Sequence, residues 1–331
     1  MRWRVPLAAV LLVASLPFWL LTSQYLRSTA TLALLWIAAG IGWNILGGFG
    51  GQLSLGHGLF FGLGAYGLYF WFLHVSSGTA WIGLPVIGVL VALVAAPLII
   101  AFRLRGVYFS LVTFAVVTIV EDLAGYFSSI TNGPDGVSLP LLNGGSAPRA
   151  IEFSNPISYF YVALGVVAIY AVIAAIVRRS SFGLRLRAMR DDEGAARSSG
   201  VKVLRVKVMA LFLSAWMVAM VGALYMATVQ FIDPSSGFGP TVITETVVAP
   251  MAGGLGTLWG PALGAGILYP LQQAFGNMFP NLAGMGLVVY GGIVVLLMRL
   301  EPRGFVGLFG RVGALWDKGV AWVAARGSGE G

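Results

Sequence analysis

Arg178-Arg179-Ser180-Ser181-Phe182-Gly183-Leu184-Arg185-Leu186-Arg187-Ala188-Met189-Arg190-Asp191-Asp192-Glu193 opens a polar segment, 178–207, that holds nine of the chain's twenty Lys and Arg residues. Arg197, Lys202, Arg205 and Lys207 complete the nine. Basic side chains resist translocation, so a basic segment of this size set between apolar runs marks the cytoplasmic side of a membrane. It also offers a soluble partner something to grip.

Outward from this segment the chain is almost entirely apolar. Of its 331 residues 58% are hydrophobic and 10% charged, with a mean hydropathy of +0.88. Soluble domains carry about 25% charged residues, so the composition is that of an integral membrane protein. A hydrocarbon core of ~30 Å takes about 20 apolar residues per helix, and backbone groups in lipid must be satisfied within helices or a closed barrel. The apolar runs are long and do not alternate, which excludes the barrel and predicts an all-α polytopic fold. The net charge of +8 sits in segments flanking spans, where membrane orientation explains it; it is no nucleic-acid signal. Cysteine is absent, which excludes disulfides and thiol chemistry.

Ten spans fit, near 5–22, 30–46, 59–75, 81–102, 107–126, 157–177, 208–230, 242–257, 260–276 and 284–298. The first resembles a signal peptide but lacks a small-x-small cleavage site, so it reads as an uncleaved span. With the N-terminus inside, eighteen of the twenty basic residues fall on the cytoplasmic face, leaving Arg27 and Arg149 outside. Both termini are therefore expected in the cytoplasm. Residues 1–300 form one transmembrane domain, with the basic segment inside it. Residues 301–331 form a cytoplasmic tail, in which 305–325, with Trp316 and Trp322, reads as a helix lying at the interface. The longest outward loop, 127–156, contains the turn-rich Thr131-Asn132-Gly133-Pro134-Asp135-Gly136; a second outward segment holds Asp233-Pro234-Ser235-Ser236-Gly237. These loops are either connectors or a docking rim.

No GxxxxGK[S/T] phosphate loop, HExxH motif or legible Ser-His-Asp set occurs. Catalysis within the chain, a bound metal and a resident cofactor are not expected. Glycine makes up 46 residues, about twice its usual share of ~7%. Two clusters stand out, Gly47 to Gly58 and Ala252 to Pro261. Small residues permit close helix packing, and they also permit the broken helices that line transport paths. In the first cluster Gln52, Ser54 and His57 put polar groups at membrane depth, where such groups face a bundle interior or a cavity. Candidate path residues are Asn44, Gln52, Ser54, His57 and Glu245. For Asn44, as for Thr113 and Thr118, the alternative is interhelical bonding, and for His57 a bond to a backbone carbonyl. Glu121, Asp122 and Glu245 are acids near span edges.

The basic segment has internal order. Asp191, Asp192 and Glu193 ahead of Ala195 and Ala196 read as the charged first turn of a short helix, with Gly200 as its stop. Such a helix suits a lever on which a soluble domain pushes; a solvated loop held inside by its charge is the alternative.

The residues that carry a resemblance are Gly42-Trp43-Asn44-Ile45-Leu46 through Gly51 to His57, Leu104 to Ser110, Thr131-Asn132-Gly133, Ser181 to Gly200, Gly253 to Pro261, and Glu301-Pro302-Arg303-Gly304. Through them the chain resembles the permease subunits of branched-chain amino-acid ABC importers, the LivM-like member, over about residues 30 to 310. The resemblance implies that the basic segment is an EAA-type coupling element, its core written here Glu193-Gly194-Ala195-Ala196, with Arg185, Arg187, Arg190, Asp191, Asp192, Glu193, Ala195, Ala196 and Gly200 as coupling residues. It further implies a second, related permease, two cytoplasmic ATPase subunits that bind ATP and Mg, a periplasmic substrate-binding protein, and a place in the bacterial inner membrane. Urea or short amides are the alternative cargo. A self-sufficient channel or secondary transporter is the alternative class.

Overall fold

The computed structural model describes residues 23–94, 106–140, 142, 147–279, 284–301 and 304–308. The expected first span, Arg103 and Arg105, and all but a few residues of the expected tail with its interfacial helix lie outside the described residues.

The described chain is mostly helical: α1 (Gln24–Asn44), α2 (His57–His74), α3 (Ala80–Val94), α4 (Val107–Tyr126), α5 (Pro156–Arg179), α6 (Ser181–Asp191), α7 (Glu193–Ser198), α8 (Val203–Val229), α9 (Pro234–Phe238), a broken run 240–254, α10 (Gly260–Met278) and α11 (Met285–Leu300). Among the described residues five helices are long and apolar enough to cross a membrane: Gln24–Phe49, Ser77–Val94, Val107–Tyr126, Pro156–Arg179 and Val203–Val229. Met285–Leu300 is apolar but shorter. The chain is a polytopic membrane protein.

α1, α2 and α8 form the centre, with α3, α5, α10 and the run 240–254 packed around them. Small residues set the closest crossing. A Cβ on Gly64 would land on the Ala219 main chain, and one on Gly222 on that of Phe61, so α2 and α8 touch backbone to backbone. Tyr170 of α5 ties into the same centre, its hydroxyl donating to the Met217 carbonyl at 2.8 Å. α4 and α11 lie at the periphery and leave large apolar side chains exposed, Val107, Leu111, Ile119, Val288 and Val295 among them.

The two loops expected to face outward meet. Val137–Ser138 (β1) pairs antiparallel with Phe231–Ile232 (β2), a short ribbon that an all-α expectation did not contain. The turn-rich stretch before it behaves as its sequence predicts: Asn132, Gly133 and Gly136 all have positive φ.

Two segments differ from expectation. The span at 242–257 is interrupted: a helical turn Pro240–Ile243 runs into the π-helical Thr244–Val248 and then Ala249–Gly254. The basic segment is not one loop with one helix. α5 runs on to Arg179 and α8 starts at Val203, so Arg178, Arg179, Arg205 and Lys207 belong to long helices, and two short helices fill the corner between them. Ser180 is the reason. It is the C-cap of α5 and the N-cap of α6 at once, its hydroxyl donating to the Val177 carbonyl at 2.8 Å and accepting from the Gly183 amide at 3.2 Å. One extended residue thus replaces a loop.

Candidate functional site

The corner formed by α6 and α7 is built from its caps. Gly183 has no room for a Cβ, which would strike the Val177 carbonyl, so the turn after Ser180 stays tight. Arg187 closes it, donating to the carbonyls of Gly183 at 3.4 Å and Arg178 at 3.1 Å. Asp191 ends α6, its carboxylate 3.5 Å from the Arg190 guanidinium. Asp192 lies outside both helices and caps α7 by accepting from the Ala195 amide at 2.9 Å. The acidic run therefore divides between a helix end, a cap and a first turn, where the sequence suggested one first turn. Glu193 receives Arg197 at 3.0 Å and Lys207 at 2.9 Å. Lys207 is buried at the start of α8, so this pair pins α7 to that helix. Gly200, with φ of 84°, ends the unit as its position predicts.

The corner has two faces. Leu186, Met189 and Ala196 are buried, while Leu184, Arg185, Ala188 and Ala195 are exposed. Among the expected coupling residues, Arg185 and Ala195 thus look outward, and Arg187, Arg190, Asp192 and Glu193 hold the corner together or hold it to the membrane domain.

That hold falls on the two glycine clusters. After α1 the chain passes through the π-helical Ile45–Phe49 and then leaves helical geometry until His57. The second break follows the same plan, with Gly254 and Gly256 at positive φ, before α10 starts at Gly260. In each, a hydroxyl residue stands three positions before the new helix. Ser54 accepts from the Gly56 amide at 3.3 Å and Thr257 from the Gly260 amide at 2.9 Å. Asn44 joins the breaks, donating to the Thr257 carbonyl at 2.8 Å and accepting from the Gly256 amide at 3.1 Å. Arg190 of α6 reaches the same point. Its guanidinium donates to the Gly48 carbonyl at 3.2 Å. A Cβ on Gly51 would meet its stem, and one on Gly256 would meet its head at 2.7 Å. Leu186 packs beneath, 3.2 Å from a Cβ placed on Gly50. One short helix, α6, therefore touches both interruptions.

The path candidates separate. Asn44 and Ser54 are occupied by the bonds above, Ser54 also offering its carbonyl to the Trp43 indole at 2.8 Å. Gln52 lies within the first break, its main-chain N–H donating to the Leu46 carbonyl at 3.2 Å. His57 is fully buried with Nε2 2.7 Å from the Ser214 hydroxyl, which itself donates to the Gly42 carbonyl at 2.7 Å. α2, α8 and α1 are thus stitched in one chain of bonds. Thr113 bonds the Leu55 amide at 3.1 Å, linking α4 to the first break, whereas Thr118 bonds within its own helix. Glu245 stands apart from all of these: it is fully buried in the π-helical turn, and neither carboxylate oxygen has a hydrogen-bond partner among the described residues.

Sequence reasoning missed Ser214, the reach of Arg190 and the likeness of the two breaks. The spacing from Ser54 to His57, repeated from Thr257 to Gly260, was the available signal for the last.

A family model described as the permease component of branched-chain amino acid transport systems matches residues 25–298. The high-affinity branched-chain amino acid transport system permease protein LivM of Escherichia coli is 29% identical over 323 residues, 90% of this chain and 73% of that protein. A probable branched-chain amino acid transport permease protein LivH of Methanocaldococcus jannaschii is 24% identical over 162 residues, 49% of each chain. The ribose import permease protein RbsC of Bacillus subtilis is 29% identical over 148 residues, covering 43% of this chain and 44% of its own. No solved structure matches the chain significantly.

Proposed function

We propose, for a chain that belongs to the family of branched-chain amino acid transport permease components, that it is the membrane subunit of an ATP-driven importer of branched-chain or similar amino acids. The family is one of transport permeases, not enzymes, and the chain is a permease component of ABC transport. In this reading ten spans cross the bacterial inner membrane with both termini in the cytoplasm. The chain pairs with a second permease and with two ATPase subunits that hold ATP and Mg, and it receives cargo from a periplasmic binding protein.

The observation that carries the reading is the two-faced corner: Leu184, Arg185, Ala188 and Ala195 lie exposed on it, while Leu186 and Arg190 hold the glycine breaks. An ATPase seated on the exposed face displaces α6. Because Arg190 contacts both breaks, that displacement reaches both interrupted spans. The chain forms and breaks no covalent bond; it turns a partner's preference between two conformations into alternating access.

The test is purification of the chain from native membranes in mild detergent, with mass spectrometry of what accompanies it and ATP-dependent uptake of leucine against urea. A second permease and ATPases, with leucine taken up, support the reading. Urea uptake would move the cargo to amides. A folded chain that purifies alone and conducts passively would replace the importer with a channel. Reversing the charge of Arg185, which is exposed and makes no structural contact in the corner, is expected to abolish ATPase docking and uptake while leaving the chain folded.

A further inference from the structure

At the centre of the membrane domain four helices each contribute one aromatic ring to a single cluster. Trp36 of α1 stacks on Phe61 of α2 at 5.0 Å, and lies 5.9 Å from Tyr225 of α8 and 6.4 Å from Tyr269 of α10. Phe61 and Tyr225 close the group at 5.2 Å. Glu245 adjoins this cluster, its carboxylate within electrostatic reach of the hydroxyls of Tyr269 and of Tyr290 on α11. Tyr290 does not bond the carboxylate; its hydroxyl donates to the carbonyl of Thr244, one residue earlier, at 3.2 Å.

A buried carboxyl group without a hydrogen-bond partner is costly to keep in either protonation state, and its retention calls for a partner in another state. The surroundings specify which. Aromatic faces carry negative potential and attract cations. Among the described residues no group of three His, Cys, Asp or Glu side chains could hold a metal ion, so a divalent metal lacks ligands. A primary ammonium group brings three donors and one positive charge, matching one carboxylate with aromatic walls. An uncharged amide or urea brings weaker donors and no charge.

We propose that Glu245, with Trp36 and Tyr269, forms a subsite on the substrate's path that accepts the ammonium group of an amino acid. This rests on the importer reading above and assigns that path its recognition chemistry. The subsite is closed in the conformation described, since Glu245 has no accessible surface. It opens with the run 240–254, whose π-helical turn is a departure from α-helical bonding of the kind found at functional sites and whose far end carries Gly254 at positive φ.

The experiment is leucine uptake by the reconstituted complete importer carrying wild type, Glu245→Gln or Glu245→Leu, with the thermal midpoint of each. Glutamine keeps the size and hydrogen-bonding capacity of the side chain and removes its charge; leucine removes both. Uptake is expected to fall about ten- to a hundredfold in both variants, the scale of one lost charge-assisted hydrogen bond, with the complex assembled and the midpoint unchanged or raised. In the same vesicles leucine, and not 4-methylpentanoate, which lacks the ammonium group, is expected to protect Glu245 from carbodiimide modification. Uptake by the glutamine variant within about twofold of wild type, equal protection by both compounds, or loss of assembly in both variants would overturn the proposal. Failure of the wild-type complex to take up leucine would instead remove the importer reading beneath it.

Discussion

Gly48 shows how little freedom a single position keeps. Its carbonyl accepts from Arg190, and a Cβ placed on it would overlap the Asn44 amide and lie 2.8 Å from the Gly256 nitrogen. Neither neighbour can withdraw freely, because Asn44 is bonded to Gly256 and Thr257 within the second break. Gly48→Ala is therefore expected to cost about 1–3 kcal/mol through overpacking, read as a lowered thermal midpoint in detergent. Gly291→Ala, in mid-helix with nothing within 4 Å of the new atom, is the control and is expected to be neutral or to stabilise by roughly 0.5–1 kcal/mol. Equal midpoints for the two variants would mean that the crossing at Gly48 is loose. His57 offers a second case: it bonds a serine 157 positions away, and no local pattern marks Ser214 as its partner.

Among the elements, α7 depends on the pair between Glu193 and Lys207. The Lys207 side chain is 2% exposed and that of Glu193 19%. Removing the carboxylate takes one partner from a charge in a nearly closed place, so Glu193→Ala is expected to cost on the order of 2–3 kcal/mol, less than the ~3–5 kcal/mol of a fully enclosed pair. Thermal melts of Glu193→Ala, Lys207→Met and the double variant give the coupling energy; strict additivity would show that the pair does not pin α7. After α8, the short α9 rests on Asp233, which accepts from the Ser235 amide at 3.2 Å and from the hydroxyls of Ser235 and Ser236. Burial pushes this carboxyl up, but the bonds from Ser235 and Ser236 together outweigh it and hold it below the usual range. A depressed folded value stabilises above the unfolded value and is lost as pH falls through the folded one. The midpoint difference between wild type and Asp233→Asn is thus expected to be constant near neutrality and to shrink only below about pH 4.

These elements also show what the sequence makes legible. The mostly helical, apolar organisation, the turn-rich stretch at 131–136 and the stop at Gly200 follow from hydropathy and from residues with strong local preferences, and the described residues have them. The division of 178–207 into two helices turns on one residue, Ser180, whose double capping appears only when α5 and α6 are both in place. The run 240–254 is apolar throughout apart from Glu245 and its threonines, and nothing in its pattern separates a π-helical turn from a straight span. Arg190 reads as one more cytoplasmic cation because its acceptor lies 142 positions away.

For the molecule as a whole, the contact of Arg190 with both breaks predicts how work divides between partners. Arg190→Ala removes the bond to Gly48 and the packing on Gly51 while leaving the exposed face of the corner untouched. In the reconstituted importer, ATP hydrolysis is expected to persist and leucine uptake to fall about tenfold or more, an uncoupling read as leucine moved per ATP consumed. A proportional loss of both would place Arg190 in docking instead. Arg190 grips main-chain atoms, a carbonyl and the bare flank of a glycine, so what it recognises is a curvature of the chain and not a side chain. The two breaks are in that sense held from one side by a single pin, the first through the Gly48 carbonyl and the second through the bare flank of Gly256.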